Sequence, residues 1–408
     1  MDIQPPSSSR SRRRLRGGLK AGAVVALAAG MVASGASLAS AATTISHGDA
    51  NLISGSVLGT TIGSIGAVDA TNSGQAPLVT SGAEGGVTIP GPIGQILTLQ
   101  GFGRYADASV DGSSDAYAGG VTASGAPGSS AAQFNIKPST VGLPDVFTVQ
   151  FNVGQFSSEA HLAADGTPTS SSTVSDINAV IGGTAVDALR APLTLLQTAY
   201  NTLGALVPGL TPFTSPVGPN GITIGQDQFL NAMGVPSWEQ VPPNTDLVKL
   251  LPQLMADKVN SGIATMLAPA IAAVNALPFP LNVAAKAALA TLQAAAKTVT
   301  DLAATSFSSV ASVIGSFVLK PSATNSNGSY TQSAIKASLF PGLSGGAMAI
   351  SLANATVGPN TVVPTPSGPM ISPTVLGIGG ASLIALFGML LIVRRRQSAV
   401  AVSATDVR

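Results

Sequence analysis

"RYADASVDGSSDAYAGGVTASGA", residues 104–126, sets the reading of the fold. Small residues alternate with polar ones up to Val110, Asp111-Gly112 breaks the run, and the alternation resumes at Asp115. A period of two marks a strand with one buried face. Asp-Gly between two such runs marks a tight hairpin. The same residues pose a chemical alternative, because Asp107, Asp111 and Asp115 recur every four positions. A calcium loop of the helix–loop–helix type takes oxygen ligands at alternate positions and ends on a bidentate Glu. Here the spacing is four and no Glu follows. With Arg104–Val110 as a strand, Asp107 and Asp111 share a face, Asp111 turns the chain with Gly112, and Asp115 begins the return strand. The hairpin is therefore the expectation, with small residues on one face and carboxylates and hydroxyls on the other.

A second Asp-Gly stands at Asp165-Gly166, and "YADASVDGS" aligns with "EAHLAADGT", which predicts two similar hairpins. "DVFTVQFNVGQF" (145–156) sets Phe147, Val149, Phe151 and Val153 against Thr148, Gln150 and Asn152, the pattern of a half-buried strand. Residues 42–92 predict short strands and turns, with "GPIGQ" as a turn. "SYTQSAIKASLF" and "GGAMAISLANATV" return to alternation near the end. Between the early and late strand runs the period changes. Val186, Leu189, Leu193, Leu196, Tyr200, Leu203 and Val207 step by three and four, with Thr184 as a cap and Pro192 as a kink. Residues 247–275 predict a second helix. Residues 282–305 predict a third, Ala-rich one with Leu289, Leu292, Ala296, Val299 and Leu302 on its buried face. The expected class is α+β: a β-rich, sandwich-like domain over 42–360 with an inserted Ala-rich helical layer at about 184–305.

The ends place this domain. Basic "RSRRRLR" precedes an apolar run ending at Ala39-Ser40-Ala41, which predicts a secretory signal over 1–41, cut between Ala41 and Ala42. Thr374–Val393 is twenty residues without charge, about 30 Å of helix and enough to span a bilayer. Arg394, Arg395 and Arg396 follow at once and mark the cytoplasmic side. The expectation is one C-terminal transmembrane helix, a Pro-rich stalk at 361–373 and a cytoplasmic tail at 394–408. Gly377, Ala381 and Ala385 form a small-residue stripe on the span, a candidate surface for self-association. Between the basic ends the body carries nine Lys/Arg against sixteen Asp/Glu, a net −7. An acidic body argues against nucleic acid as a partner. The chain has no cysteine, so the body folds without disulfides and has no thiolate chemistry.

Candidate chemical groups are sparse. The two histidines are His47, near Asp49 and read as an exposed loop residue, and His161, read beside Glu159 at a strand edge. The only glutamates are Glu84, Glu159 and Glu239, poor support for a Glu pair of glycosidase type. No Gly-x-Ser-x-Gly nucleophile elbow stands out in a strand–helix context, "GLSGG" (342–346) reading as turn composition, and no glycine-rich phosphate loop ends in Lys-Ser/Thr. The lone Trp238 in "VPSWEQVPP" reads as a packed residue rather than a binding platform. No cofactor, metal or catalytic residue is expected.

"GFGRYADASVDGSSDAYAGGVTASGA", "VGPN" at 217–220 and 357–360, "PPNTDLVKLLPQL" and "SYTQSAIKASLFPGLSGGAMAISLANATVGPN" resemble the choice-of-anchor G family, exported proteins of actinobacteria with a shared surface domain and varied C-terminal anchors. The resemblance covers most of 45–360. It implies location and anchoring and brings no reaction. Val363-Pro364-Thr365-Pro366-Ser367 stands where many wall-sorted proteins carry Leu-Pro-x-Thr-Gly, and matches only its proline. The span is thus expected to be retained. The resulting expectation is a single-pass, membrane-anchored surface protein that displays or binds, with cell-wall polymer or another surface protein as partner. Two rivals remain. An envelope hydrolase needs Asp side chains brought together in a cleft, and a lipid binder needs helices that enclose an apolar pocket.

Overall fold

A computed structural model describes residues 44–361, except 58, 86, 90 and 344–347. The signal cleavage point Ala41/Ala42, the stalk beyond 361, the span with Gly377, Ala381 and Ala385, and Arg394, Arg395 and Arg396 lie outside the described residues. Among the described residues no helix is long and apolar enough to cross a membrane.

In chain order the elements are β1 (Ser46–Val57), β2 (Thr60–Asn72), β3 (Leu78–Glu84), α1 (Gly91–Ile96), β4 (Leu97–Gln100), β5 (Gly103–Ser109), β6 (Ser114–Gly119), β7 (Ala131–Ile136), β8 (Thr148–Val153), β9 (Gln155–Leu162), β10 (Pro168–Ser175) and β11 (Asn178–Gly182). Then come α2 (Thr184–Asp187), α3 (Arg190–Leu206), β12 (Ile222–Ile224), α4 (Gln226–Met233), β13 (Thr245–Asp246), α5 (Leu251–Asn275), α6 (Leu281–Phe307), α7 (Val310–Ile314), β14 (Gly315–Leu319), β15 (Ser322–Thr324), β16 (Tyr330–Leu339) and β17 (Met348–Val357). Among the described residues strand, at 38 %, exceeds helix, at 33 %, so the class is a sheet-rich α+β.

Among the described residues three antiparallel sheets form. The first is seven-stranded, ordered β13-β14-β16-β17-β1-β2 with β15 beside β16. The second runs β10-β9-β6-β5-β3 and the third β12-β11-β8-β7-β4. The first and last strands lie side by side, Asp49 opposite Thr356 and Ile53 opposite Leu352, so both ends of the domain meet at the centre of one sheet. A row across that sheet, Gly66, Leu52, Ala353 and Ala334, sits between paired positions, with φ +63° at Gly66 and +49° at Ala353. Strict alternation fails there, and Ala50, Leu52 and Ile53 are all buried.

On one side of the row the large sheet covers the second sheet. Ala106, Ala108, Ala116, Ala118 and Ala160 form the second sheet's inner face, fully or almost fully buried. Small side chains let the backbones approach: a Cβ built on Gly48 would lie 2.6 Å from the Asp115 carbonyl oxygen and 2.7 Å from that of Asp107. Ser158 and Asn72 cross the gap to donate to the carbonyls of Ala353 and Ala108. On the other side of the row Phe317 of β14 stacks on Phe151 (centroids 4.4 Å apart) and meets Phe134 edge-on (4.9 Å), binding the third sheet to the first. The helices α3, α5 and α6 bury their stripes against one another and against β12 and α7, with Met255, Val259, Ile263, Met266 and Ala270 at most 8 % exposed. These stripes belong to one common hydrophobic core.

Several expectations change. Residues 42–92 hold two long strands of 12 and 13 residues, because Gly55, Gly63 and Gly66 bend the chain without ending it. "GPIGQ" begins helix α1 instead of a turn, since Ile93 and Ile96, three apart, both reach the core. Thr184 opens the short α2 without a side-chain cap. Pro192 falls in the first turn of α3, where backbone N–H groups lack helical acceptors, so it kinks nothing. Ala303, not Leu302, holds the core position on α6.

Candidate functional site

The hairpin at 104–126 is formed as its sequence suggests, and its chemistry arises across strands. Ser109 N–H donates to Ser113 carbonyl (2.9 Å), Gly112 N–H to Ser109 carbonyl (3.2 Å), and Asp111 Oδ1 accepts from Ser113 N–H (2.9 Å). Gly112 takes φ +92°, a left-handed residue that closes the five-residue turn. The β9–β10 turn repeats this atom for atom: Ala163 to Thr167, Gly166 to Ala163, and Thr167 N–H to Asp165 Oδ1 at 2.9 Å. Asp111 is thus a turn residue. The Ser113 hydroxyl and amide hold its carboxyl below the usual range.

Asp107 and Asp115 are instead direct cross-strand partners on the outward face of the second sheet. The registers assemble two parallel rows there. One reads Thr80, Asp107, Asp115, His161 and Thr169; the other reads Gly82, Tyr105, Tyr117, Glu159 and Ser171. Two of the four tyrosines in the chain face each other, ring centroids 6.0 Å apart and tilted by 48°. Tyr105 donates its hydroxyl to Asp107 Oδ2 (3.1 Å), and Asp107 Oδ1 accepts the Asp115 N–H (3.2 Å). His161 Nδ1 hydrogen-bonds Asp115 Oδ1. Ser171 donates to Glu159 Oε1 (2.8 Å). The hairpin loop 122–126 folds over the row of tyrosines: Ala123 N–H donates to Glu84 Oε1 (2.7 Å), and Gly125 packs on the Tyr105 ring.

Two histidine readings are corrected. His161 stands beside Glu159 on the outward face, but on β9, an interior strand between β6 and β10 rather than an edge, and it hydrogen-bonds Asp115. His47 is on β1, not in a loop, and bonds Asp69 Oδ2 (2.6 Å) rather than Asp49, while Nδ1 sits 3.2 Å from the Gly358 carbonyl. Each pairing joins strands that only the fold brings together. Trp238 is packed, 6 % exposed in a short 3-10 turn, as its sequence context predicts. Glu239 lies beside it in the same short turn, which packs against β10.

Electrostatically the face is an acceptor surface. Asp107 is raised above the ordinary carboxylate range, first by burial and then by the Asp115 charge. Burial, with Asp115 and Glu159 adding negative potential, pushes Tyr117 up to about 12, and Tyr105 is raised for the same kind of reason. Both phenols are therefore neutral donors near pH 7. A depression of ≈ 390 Å³ lies over Asp115, Tyr117, Glu159 and His161. Among the described residues no group of three or more His, Asp or Glu side chains is arranged to hold a metal ion. Comparison with known proteins finds no matching family model, no matching curated protein and no matching solved structure.

Proposed function

We propose that this chain is an exported, membrane-anchored surface protein whose sandwich-like body holds a hydroxyl-rich envelope polymer on the outward face of its second sheet. The observation that carries the reading is the pair of cross-strand rows: two half-buried tyrosine rings beside carboxylates, with loop 122–126 against Tyr105 and a depression over Tyr117. Aromatic faces stack on the apolar faces of sugar rings, and carboxylates and phenols match sugar hydroxyls as acceptors and donors. The net acidity of the face favours neutral or amine-bearing polymers over acidic ones. Location rests on the signal pattern, the uncharged run 374–393 with Arg394, Arg395 and Arg396 behind it, and the resemblance to choice-of-anchor G proteins. The inserted helices act as a buttress. Fractionation with protease treatment of intact cells tests display: the body should be cut from outside while the tail 394–408 survives. Recovery of uncut, full-length chain in the cytosol refutes it.

A hydrolytic reading has one specific observation in its favour, the direct opposition of Asp107 and Asp115 with a raised Asp107 carboxyl. In this reading the pair cleaves the polymer it holds. Wall oligosaccharides incubated with the chain and with Asp107→Asn decide it: fragments that appear only with the unmutated chain support hydrolysis, and none from either excludes it.

A further inference from the structure

The outward face of the large sheet carries a second, chemically opposite feature. At the centre of this sheet lies a groove of ≈ 710 Å³, within the ~300–1,000 Å³ typical of ligand sites. Its floor has almost no bulk. One row across it reads Val318, Lys336, Ser351, Ser54, and the next reads Ser316, Ser338, Ala349, Ser56. Hydroxyls on adjacent strands repeat about every 4.8 Å, which presents a flat lattice of donors and acceptors.

This floor is held in place by the neighbouring row on the same face. Asn354, 3 % exposed, accepts from the hydroxyls of Ser333 and Ser351 (2.6 Å each) and donates to Asn51 Oδ1 (2.8 Å). A buried, fully engaged amide of this kind fixes rotamers that would otherwise rotate freely. The groove is therefore built rather than incidental.

Its charge is the informative property. Among the described residues of the lining Asp246 is the only carboxylate, and its Oδ1 accepts from the backbone N–H groups of Val248 (3.2 Å) and Phe317 (3.0 Å). Its Oδ2 faces Lys249 at 3.8 Å. Lys336, exposed on the floor, has no carboxylate within ion-pair distance among the described residues. The body as a whole is at −7, so an uncompensated ammonium at the centre of a hydroxyl floor is a local reversal of sign.

We propose that this groove binds an acidic saccharide, its carboxylate or phosphate on Lys336 and its ring hydroxyls on the serine rows. The site is independent of the tyrosine–carboxylate face, which lies on another sheet and has the opposite charge.

The test uses the purified full chain and three oligosaccharides of equal length: a hexuronate oligomer, a sugar-phosphate oligomer and a neutral one. Titration calorimetry should show at least one acidic probe binding about tenfold or more tighter than the neutral one, weakening as salt rises. Lys336→Gln should remove that preference, Lys336→Arg should keep most of it, and Tyr117→Ala should leave it unchanged. Lys336 is exposed, so the Gln variant should melt with the parent chain, which separates loss of binding from loss of fold. The preferred acidic probe names the anion. Equal affinity for neutral and acidic probes, or an acidic preference that survives Lys336→Gln, overturns the proposal.

Discussion

Gly48→Ala places one methyl group between two sheets. The added Cβ would stand 2.6 and 2.7 Å from the carbonyl oxygens of Asp115 and Asp107. Ordinary contact begins near 3.4 Å, so the sheets must part by roughly 0.7 Å or the strands must bend. The obstructing atoms are backbone in paired strands, so no side chain can swing aside. Separation would also loosen the contacts of Ala50, Ala106 and Ala116. Overpacking of this kind costs about 1–3 kcal/mol, and two backbone clashes argue for about 3 kcal/mol. At about 2–4 °C per kcal/mol for domains of a few hundred residues, Tm should fall by about 6–12 °C. Gly204→Ala is the matched control. Gly204 lies within α3 and an added Cβ there meets nothing within 4 Å, so alanine should stabilise by about 0.5–1 kcal/mol. Scanning calorimetry of both variants beside the parent chain measures the difference. An unchanged Tm for Gly48→Ala would refute the close apposition of the two sheets, and with it the support beneath the candidate face.

Three further outcomes are expected. Asp107→Asn should stabilise the fold at neutral pH by up to about 1 kcal/mol after solvent screening: the raised carboxyl of Asp107 means that folding disfavours its ionised form, so the parent recovers stability as pH falls through that raised value, and the advantage should vanish once pH lies below the ordinary carboxylate range. An advantage that instead grew toward acid in urea unfolding would reverse the assignment. Asn354→Ala should cost about 2–4 kcal/mol in the same assay, because it strands Ser333, Ser351 and Asn51, and a loss below 1 kcal/mol would mean that the floor hydroxyls are not held by it. Arg104 is 5 % exposed with Nε and Nη1 lacking partners among the described residues, so Arg104→Met should be neutral or stabilising by about 1–3 kcal/mol, and a clear loss would show that the guanidinium is paired.

The local grammar of this fold is legible in the sequence because its signals are short-range. Asp111-Gly112 and Asp165-Gly166 fix their turns within five residues, and the helical stripes of α3, α5 and α6 repeat within one turn. The long-range pairings leave no local trace. β1 meets β17 three hundred residues away in the chain, and His161 meets Asp115 across 46 positions. Register in such sheets is set by which face is buried, and the inner face here is Ala and Gly, whose weak hydrophobic contrast blurs the pattern. The bend at Ala353, φ +49°, is equally silent, since alanine announces no left-handed residue. One signal did anticipate the site. Aligning the two Asp-Gly hairpins sets Asp107 over His161, and both residues occupy the same outward position four places before their turn aspartates.

The central claim is that the tyrosine–carboxylate face holds an envelope polymer. Retention of the full chain on isolated cell walls in detergent, compared with the Tyr105→Ala/Tyr117→Ala double variant, tests it most directly. The account predicts that the parent chain co-sediments with the walls and the double variant, folded by its circular dichroism, is retained about tenfold less or worse. Equal retention of the two chains would contradict it.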